Sequence, residues 1–428
     1  MILIITKKIN MLKLRLIDLL SGMEIYETLQ MLKVQQYLPE EELNAIRQQQ
    51  LNRLFNIAKK STVYYSRFNS YEEVPVLTKQ IMKQHPEDFL SSSFKGKLFK
   101  KFTGGTTGAP FKYATASATQ SYLWAGLLLA WENTGYKFGD KVAFIGGSAL
   151  LKVGSKHKMF YSLLNIDRYP VATMDDNIIA GHLAALRQRK TKMIYGYAMA
   201  INIIADYMLQ NNIEPVTGLK GIVSTSEVLT DKMKANIENA FKVKVYNQYG
   251  CNEAGISAFE CTHGSMHLIS SRCIYETGPG GILISTDLSN DAYVFMKFNT
   301  NDIVEFSDNK CSCGRTFPLI SKIEGRGNEL LVDQRSKKIH STYFNFLFKN
   351  DKAVKQFQVS FDESNFYINL LVDNSFTEAN KEYYLDIMKS NFVFDNYEMM
   401  INEKFQEGKN LKHTFIIDKR NQQRELTA

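Results

Sequence analysis

The sequence predicts an α/β protein with a large N-terminal α/β domain, a β-rich subdomain and a small C-terminal α+β domain. Up to about residue 278, apolar strand-like runs alternate with helical stretches, which favours a sheet of parallel strands. Short strands separated by turns follow as far as residue 327. Beyond residue 330 the order strand, helix, strand, strand, helix, strand is typical of a compact α+β unit.

The elements are predicted from periodicity, taken in chain order. Residues 39–60 space Leu and Ile as in a helix, and Thr78 is placed to cap the next helix. Further helices are predicted at 120–136, 198–212, 231–241, 341–348 and 379–392. Strands are predicted at 141–147, 192–197, 219–227, 243–250, 278–288, 292–298, 302–308, 354–361, 365–372 and 398–405.

The bulk composition narrows the functional classes. The chain has 428 residues, 44% of them hydrophobic and 22% charged, with a net charge of +8. The basic residues are dispersed, which favours a solvated surface with a pocket for a phosphate-bearing ligand over binding to nucleic acid or an anionic membrane. Five cysteines without a disulfide-like framework favour a reducing cytoplasm.

The N-terminal stretch 1–34 is interpreted as an extension, with Met11 or Met23 as alternative first residues and the residues ahead of that start poorly packed. Its apolar residues are interrupted by Lys and Arg, so it predicts no transmembrane segment. It lacks a small-residue cleavage site, which argues against a secretory signal.

The stretch "KFTGGTTGAPFKY", residues 101–113, is the first candidate site. It matches neither the phosphate-loop pattern nor the dinucleotide pattern, both of which require other spacings. Its glycines and threonines nevertheless supply amides and hydroxyls suited to an anion. Taken alone, a plain glycine-rich turn explains this segment better.

Three later motifs change that interpretation: "YNQYGCNEAG" at 246–255, "FNTNDIVEF" at 298–306 and "CSCGRTFPLISKIEGRGNELL" at 311–331. Their order resembles the adenylate-forming superfamily. "PVLTK", "YGYAMAI" and the "CSCGRT" insertion are similar to the phenylacetate–coenzyme A ligase group, particularly its capsular-polysaccharide biosynthesis branch. The resemblance covers residues from about 35 to the C-terminus. It implies a domain of 35–327, with the β-rich part at about 255–327, and a mobile domain of 328–428.

The resemblance implies ATP-dependent activation of a carboxylic acid to an acyl-adenylate, followed by transfer to a thiol such as coenzyme A. It implies that the phosphates of ATP are held by Thr103, Gly104, Gly105, Thr106, Thr107 and Gly108. It implies that Glu253 binds Mg²⁺, for which carboxylate oxygen is a suitable ligand. The remaining nucleotide contacts that it implies are Ser226, Glu227, Tyr249 and Gly250 near the adenine, Asp302 at the ribose and Arg326 at ribose or phosphate.

Two further groups complete the implied reaction site. Asn252 replaces the usual threonine near the α-phosphate, and Lys409, after Gly408, takes the position of the catalytic lysine. Lys412 is its competitor. Asn299, Asn301 and Asn328 also depart from the family pattern, at the ribose motif and at the hinge. Asn301 can adopt a left-handed turn, although less freely than glycine.

Four residues match a zinc pattern seen in this branch: Cys261, His267, Cys311 and Cys313. Three thiolates and an imidazole form a closed tetrahedral site of the structural kind. His263 is the rival imidazole. Unpaired buried thiols are the alternative, and Cys251 and Cys273 are interpreted as core or pocket residues.

The acid is expected between the helix at 120–136 and the strands at 192–197 and 219–227. Trp131, Tyr195 and Tyr197 are candidates for an apolar or aromatic pocket, although core packing explains them equally well. Two competing functions stay open: acyl transfer to another acceptor for a cell-surface polysaccharide, and nucleotide binding without turnover. The predicted partners are ATP, a carboxylic acid and an acyl acceptor, without nucleic acid, and the resemblance is compatible with a homodimer.

Overall fold

The structure, a computed structural model, describes residues 2–102, 111–146, 154–170, 176–226, 229–326, 330–340, 344, 347–348, 351, 353–403 and 416–420. The chain divides into two compact units. The larger unit contains Met1–Lys101, Lys112–Thr300 and Val304–Ile323, and the smaller unit contains Phe102–Phe111, Asn301–Ile303 and Glu324–Ala428.

The larger unit begins with helices that belong to its core. Their bounds are α1 Ile2–Ser21, α2 Ile25–Gln35, α3 Glu40–Ser61, α4 Lys79–Gln84 and α5 Ser117–Trp131. Leu14 and Ile17 of α1 and Leu32 of α2 are buried in the same apolar cluster as residues of α5. The interpretation of 1–34 as an extension is therefore wrong for residues 12–34, because their apolar side chains pack with those of α5 in one core.

The predicted parallel sheet is present in the larger unit. Its strands are β3 Val142–Gly146, β4 Ile166–Pro170, β5 Met193–Tyr197, β6 Gly221–Thr225 and β7 Val245–Cys251, after a separate pair β1 Phe99–Phe102 and β2 Lys112–Thr115. The sheet order is β4-β3-β5-β6-β7, all parallel. Helices α6 Ser155–Leu163, α7 Asp176–Gln188, α8 Ala198–Gln210 and α9 Asp231–Phe241 lie between these strands in the sequence. This confirms the α/β class.

The sheet continues beyond β7 in the order β7-β8-β9-β13-β12-β11-β10. These strands are β8 Ile256–Glu260, β9 Met266–Leu268, β10 Cys273–Thr277, β11 Ile282–Asp287, β12 Phe298–Ser307 and β13 Leu319–Arg326. The pairs β7–β8 and β8–β9 are antiparallel. The sheet thus changes from parallel to antiparallel at β7, which carries most of the 246–255 motif.

One predicted strand, at 292–298, is not formed. The described strand β12 begins only at Phe298. The preceding residues are buried, and the Val294 N–H donates to the Phe89 carbonyl at 3.0 Å rather than to a long ladder. The apolar run reflects burial of a connecting segment, and an apolar run alone does not distinguish that from a strand.

The smaller unit has its own sheet and core. Its elements are β14 Leu330–Val332, β15 Lys338–His340, β16 Val354–Phe361, β17 Asn365–Val372, α10 Glu378–Asn391, β18 Asn396–Ile401 and β19 Ile416–Asp418. Strands β18-β17-β16-β19 form one sheet, with a core that includes Phe357, Ile368 and Met388. Thr377 and Asn380 close a capping box at the start of α10. The predicted helix at 341–348 lies largely outside the described residues.

Of the helices in the described part of the chain, none has both the length and the apolar character that crossing a membrane requires.

Candidate active site and metal centre

The turn that follows β7 carries the predicted magnesium ligand. Asn252–Ala254 form one turn of 3₁₀ helix, in which Asn252 is exposed and Glu253 is buried. Gly255 ends the turn with φ +70°, and a Cβ built there would lie 2.6 Å from Cγ of Asp287. Any other residue at 255 would meet both backbone strain and a clash, so this glycine fixes the path of the turn.

Glu253 is paired with a lysine to which the sequence analysis gave no role. The Lys79 Nζ lies 2.7 Å from the Glu253 Oε1, and the two side chains are 25% and 11% exposed. Thr78 caps α4 by accepting from the Ile81 N–H, as predicted, which sets Lys79 at the first helical position. Leu77 forms a parallel bridge with Phe298 and so ties this segment to the start of β12. The "PVLTK" motif, which contains Lys79, was the feature of the sequence that could have pointed to this lysine.

A buried ion pair lies directly behind this turn. Arg272 and Asp287 are each 1% exposed, with Nη2 and Oδ2 3.5 Å apart. Asp287 also accepts from the N–H and the hydroxyl of Ser289 at 2.9 and 2.6 Å. Burial foremost, with the nearby Glu253 carboxylate, raises the pKa of Tyr113, so its phenol stays protonated beside these charges. The turn therefore packs against a pair of charged side chains that are buried away from water.

The residues expected around the nucleotide are distributed over both units. Tyr249 and Gly250 lie on β7, opposite Ala258 and Ser257 of β8. Ser226 follows β6 directly, is exposed, and has φ +67°.

The ribose motif lies on β12, within the segment assigned to the smaller unit. Asp302 is half-buried there. Asn301 has φ +61°, so it adopts the left-handed conformation expected of it. Arg326 is the last residue of β13.

Several predicted site residues lie outside the described residues, and their structural placement stays a prediction. They are Thr103, Gly104, Gly105, Thr106, Thr107, Gly108, Glu227, Asn328, Lys409 and Lys412.

The four predicted zinc ligands come together within the larger unit. The Sγ atoms of Cys261, Cys311 and Cys313 and a ring nitrogen of His267 all lie within 4.8 Å of one another. Cys261 Sγ is 3.6 Å from Cys311 Sγ, and Cys313 Sγ is 3.3 Å from His267 Nε2. Tetrahedral ligands at about 2.3 Å from zinc would be about 3.8 Å apart, so only small movements separate this cluster from a closed site.

Two similar turns present the cysteines. Gly264 donates its N–H to the Cys261 carbonyl at 3.0 Å, and Gly314 donates to the Cys311 carbonyl at 3.2 Å. Both glycines are left-handed, with φ +81° and +80°, and a Cβ at either would meet open space. The requirement for glycine is therefore conformational. Each turn directs a thiol from a separate chain segment toward the same point.

His267 is oriented as a metal ligand. It is fully buried on β9, and its Nδ1 lies 3.2 Å from the Phe317 carbonyl, which leaves Nε2 directed at the thiols. Such a second contact fixes the tautomer of ligating histidines. Burial lowers the pKa of His267 to about 4, so the ring is neutral as ligation requires. The rival His263 is exposed and lies outside the cluster.

The pKa values of Cys261 and Cys311 are shifted in opposite directions. Burial raises the pKa of Cys261 to about 11. At Cys311 burial acts in the same direction, but hydrogen bonds, including those from Ser265 and the Cys313 amide, outweigh it and lower the pKa to about 7. A nearby cation would be needed to hold Cys261 as a thiolate at neutral pH. The donor set and its geometry fit a structural zinc ion.

Arg315 connects this cluster to the N-terminal helices, and the sequence analysis did not single it out. Its Nε donates to Gln36 Oε1 at 2.7 Å, and the Thr316 N–H donates to the Gln36 carbonyl at 2.8 Å. The guanidinium also lies over the Phe259 ring, 5.5 Å from its centroid. The position directly after "CSCG" was the available signal. The cysteine turn is thereby fixed to the end of α2.

The candidate acid-pocket aromatics do not form one lining. Trp131 is buried and packs against Tyr195, with ring centroids 5.2 Å apart. Tyr197 packs against the separate cluster that contains α8. Core packing accounts for Trp131, while the half-buried Tyr195 keeps one side toward Phe144, at 5.1 Å.

Comparison with known proteins begins at the sequence level. No protein-family model matches the chain. Protein CapK of Staphylococcus aureus is 26% identical over 364 residues, which cover 79% of this chain and 80% of that protein.

Solved structures give a longer match. A 2-hydroxyisobutyryl-CoA ligase in the postadenylation state, in complex with 2-HIB-AMP, superposes with a TM-score of 0.63 at 16% identity. The match covers 92% of this chain and 93% of that one. The chain has the fold of the adenylate-forming enzymes. The same ligase with 2-HIB-AMP and CoA, in the thioesterification state, gives a TM-score of 0.58 at 18% identity and the same coverage. The adenylate-forming fold therefore extends over both units of this chain.

Proposed function

We propose that this chain is an ATP-dependent acid–thiol ligase that converts a carboxylic acid to an acyl-adenylate and then to a thioester. The observation that carries the proposal is the buried Glu253, held by Lys79 on the turn after β7, in a chain with the adenylate-forming fold. The order of the other motifs along the sequence supports it. Coenzyme A is the proposed thiol.

In the first step, a carboxylate oxygen of the acid attacks the α-phosphorus of ATP. A new oxygen–phosphorus bond forms, the bond from the α-phosphorus to the bridging oxygen breaks, and pyrophosphate leaves. Two anions must approach each other, so positive charge and alignment dominate catalysis. Lys409 is proposed to supply charge at the α-phosphate, with Asn252 donating beside it.

The nucleotide is proposed to bind through groups from the whole chain. Amides and hydroxyls of residues 103–108 hold the phosphate tail, Asp302 accepts both ribose hydroxyls, and Arg326 reaches ribose or phosphate. The residues proposed around the adenine are Ser226, Glu227, Tyr249 and Gly250. Mg²⁺ held by Glu253 would offset the charge of the phosphates.

Lys79 has a proposed role in this binding step. While Glu253 lacks a metal, the Lys79 ammonium at 2.7 Å balances its charge in a poorly hydrated place. Glu253 would hold a divalent cation there, which would offset phosphate charge, and the Lys79 ammonium would be free to contact phosphate instead. The pair thus keeps the carboxylate oriented before nucleotide arrives.

In the second step, a thiol sulfur attacks the acyl carbonyl carbon, the carbon–oxygen bond to AMP breaks, and AMP leaves. The proposed mobile C-terminal domain removes Lys409 from the site for this step, with residues near Asn328 as the hinge. The cluster of Cys261, His267, Cys311 and Cys313 is proposed to hold zinc for structure and to take no part in either step.

The test is ATP–pyrophosphate exchange over a panel of aliphatic and aromatic acids, with thioester formation from coenzyme A measured separately. Exchange with at least one acid is expected, and the Thr106→Ala/Thr107→Ala variant should weaken ATP binding by about tenfold or more, since two hydroxyl contacts to a charged partner are lost. Exchange without thioester would reassign the acceptor, for example to a cell-surface polysaccharide. ATP binding without exchange over the whole panel would refute turnover and leave a nucleotide-binding protein.

A further inference from the structure

Helix α1 presents two apolar faces. On the inner face Leu14 and Ile17 are 3% and 1% exposed, and the helix packs against α2 and α6. This face alone would account for an ordinary amphipathic helix. The inner face alone packs α1 onto the larger unit, so the second face is not needed for that packing.

The outer face is a stripe of exposed leucines. Leu12, Leu16, Leu19 and Leu20 are 73%, 47%, 80% and 57% exposed. Isolated exposed leucines are ordinary, but four on one face of one helix form a patch. In the sequence, apolar residues continue toward the N-terminus with spacings of three and four residues. We refer to Leu12, Leu16, Leu19 and Leu20 as the outer stripe.

The charges of α1 are arranged around this stripe. Lys13 and Arg15 are exposed and flank it on opposite sides. The acidic residue of the helix, Asp18, is turned inward, where its carboxylate accepts from the Ile25 and Tyr26 N–H groups at 2.8 and 2.9 Å.

A further cation lies at the end of the helix. Lys97 donates from Nζ to the Ser21 carbonyl at 2.9 Å, so it lies beside the C-terminal end of α1. Arg15 is 3.2 Å from Glu27, and because both side chains are exposed the attraction between them is weak. The surroundings of the outer stripe are therefore predominantly basic.

We infer that α1 docks the protein on an anionic lipid bilayer, with the outer stripe inserted at the interface and the flanking cations against the headgroups. An apolar face bordered by Lys and Arg is the arrangement by which helices lie in a membrane surface. Helix α1 has 20 residues and is therefore about 30 Å long. A second copy fits less well, because pairing two such stripes in parallel would bring Lys13 and Arg15 against their own copies.

The test uses the full-length protein and co-sedimentation with vesicles. Vesicles containing phosphatidylglycerol and phosphatidylcholine in equal amounts should bind the protein, and binding should weaken as salt rises. Vesicles of phosphatidylcholine alone should bind it much less. Leu12→Ser/Leu19→Ser should lower the partition coefficient by about tenfold or more, since two inserted side chains are lost. Lys13→Glu should weaken binding to the anionic vesicles in particular.

The matched control is Leu209→Ser, which changes a leucine that is 36% exposed on another helix of the same unit and should leave binding unchanged. Unchanged melting temperatures verify that each variant is folded. Failure to bind anionic vesicles at low salt overturns the inference, as does equal binding by the Leu12→Ser/Leu19→Ser variant. A dimer in sedimentation velocity that this variant dissociates, without vesicle binding, would assign the outer stripe to a second copy and also overturn it.

Discussion

Removing the zinc ion that is proposed to join the two cysteine turns should lower the free energy of unfolding of the larger unit. The size of this loss follows from the separation of the ligands along the chain. Cys311→Ser/Cys313→Ser deletes both ligands of one turn and leaves Cys261 and His267 on the other. Cys261 and Cys311 are 50 residues apart in the chain. Freeing a loop of that length returns about 4 kcal/mol of chain entropy to the unfolded state at 25 °C. That value is the expected loss in the free energy of unfolding.

The corresponding change in melting temperature follows from the size of the unit. About 300 residues at ~2.1 cal/mol/K each give an unfolding entropy of about 0.6 kcal/mol/K. A loss of about 4 kcal/mol should therefore lower the melting temperature of the larger unit by about 6 °C. Differential scanning calorimetry measures this change. Elemental analysis should find about one zinc per wild-type chain, as expected for one closed site, and almost none in the variant.

The control for this experiment is Cys251→Ser, because Cys251 is a half-buried thiol of the same unit outside the four-residue cluster. It should retain the metal. A wild-type protein purified without zinc, and melting at the same temperature as the double variant, would refute the calculation. Retention of zinc by the double variant would refute the ligand set.

The other predictions concern the nucleotide. Lys79→Met should reduce ATP–pyrophosphate exchange about 10- to 100-fold by loss of one charge-assisted contact, and Glu253→Gln should in addition reduce its dependence on Mg²⁺, measured by titrating the metal. Equal exchange by Lys79→Met and wild type would remove Lys79 from the mechanism. Asp302→Ala should weaken ATP and AMP alike in calorimetric titrations, whereas a loss confined to ATP would move this carboxylate away from the ribose. Lys409→Ala should slow adenylation about 10²- to 10³-fold and spare thioester formation from supplied acyl-adenylate. Lys412→Ala should change little, and the reverse pattern would reassign the lysine.

The elements that sequence predicts well are those whose signal is local. The alternation of strands and helices gave the α/β class, and Thr78 caps α4 because its hydroxyl needs only the next turn of the same helix. Asn301 takes a positive φ, which its own side chain permits. The four metal-ligand candidates were identified together, although two segments carry them, because the family resemblance supplied their pattern.

The features that sequence left out depend on distant partners. Lys79 is one lysine among many, and its significance arises only when folding places it 2.7 Å from Glu253. Arg315 acquires its role from Gln36, 279 residues away. The run at 292–298 has the composition of a strand, but it is a connecting segment that is buried by other parts of the chain. No window of local sequence contains these contacts.

The buried pair of Arg272 and Asp287 constrains how this chain can change over evolutionary time. Removing either partner alone strands a charge away from water, which costs about 3–5 kcal/mol, whereas replacing both with apolar groups of similar volume is often nearly neutral. The path between those two sequences passes through an unstable intermediate, so the positions are epistatic. Gly255 adds a third constrained position, because a Cβ added there would lie 2.6 Å from the Asp287 side chain. Substitutions behind Glu253 should therefore become fixed together or not at all.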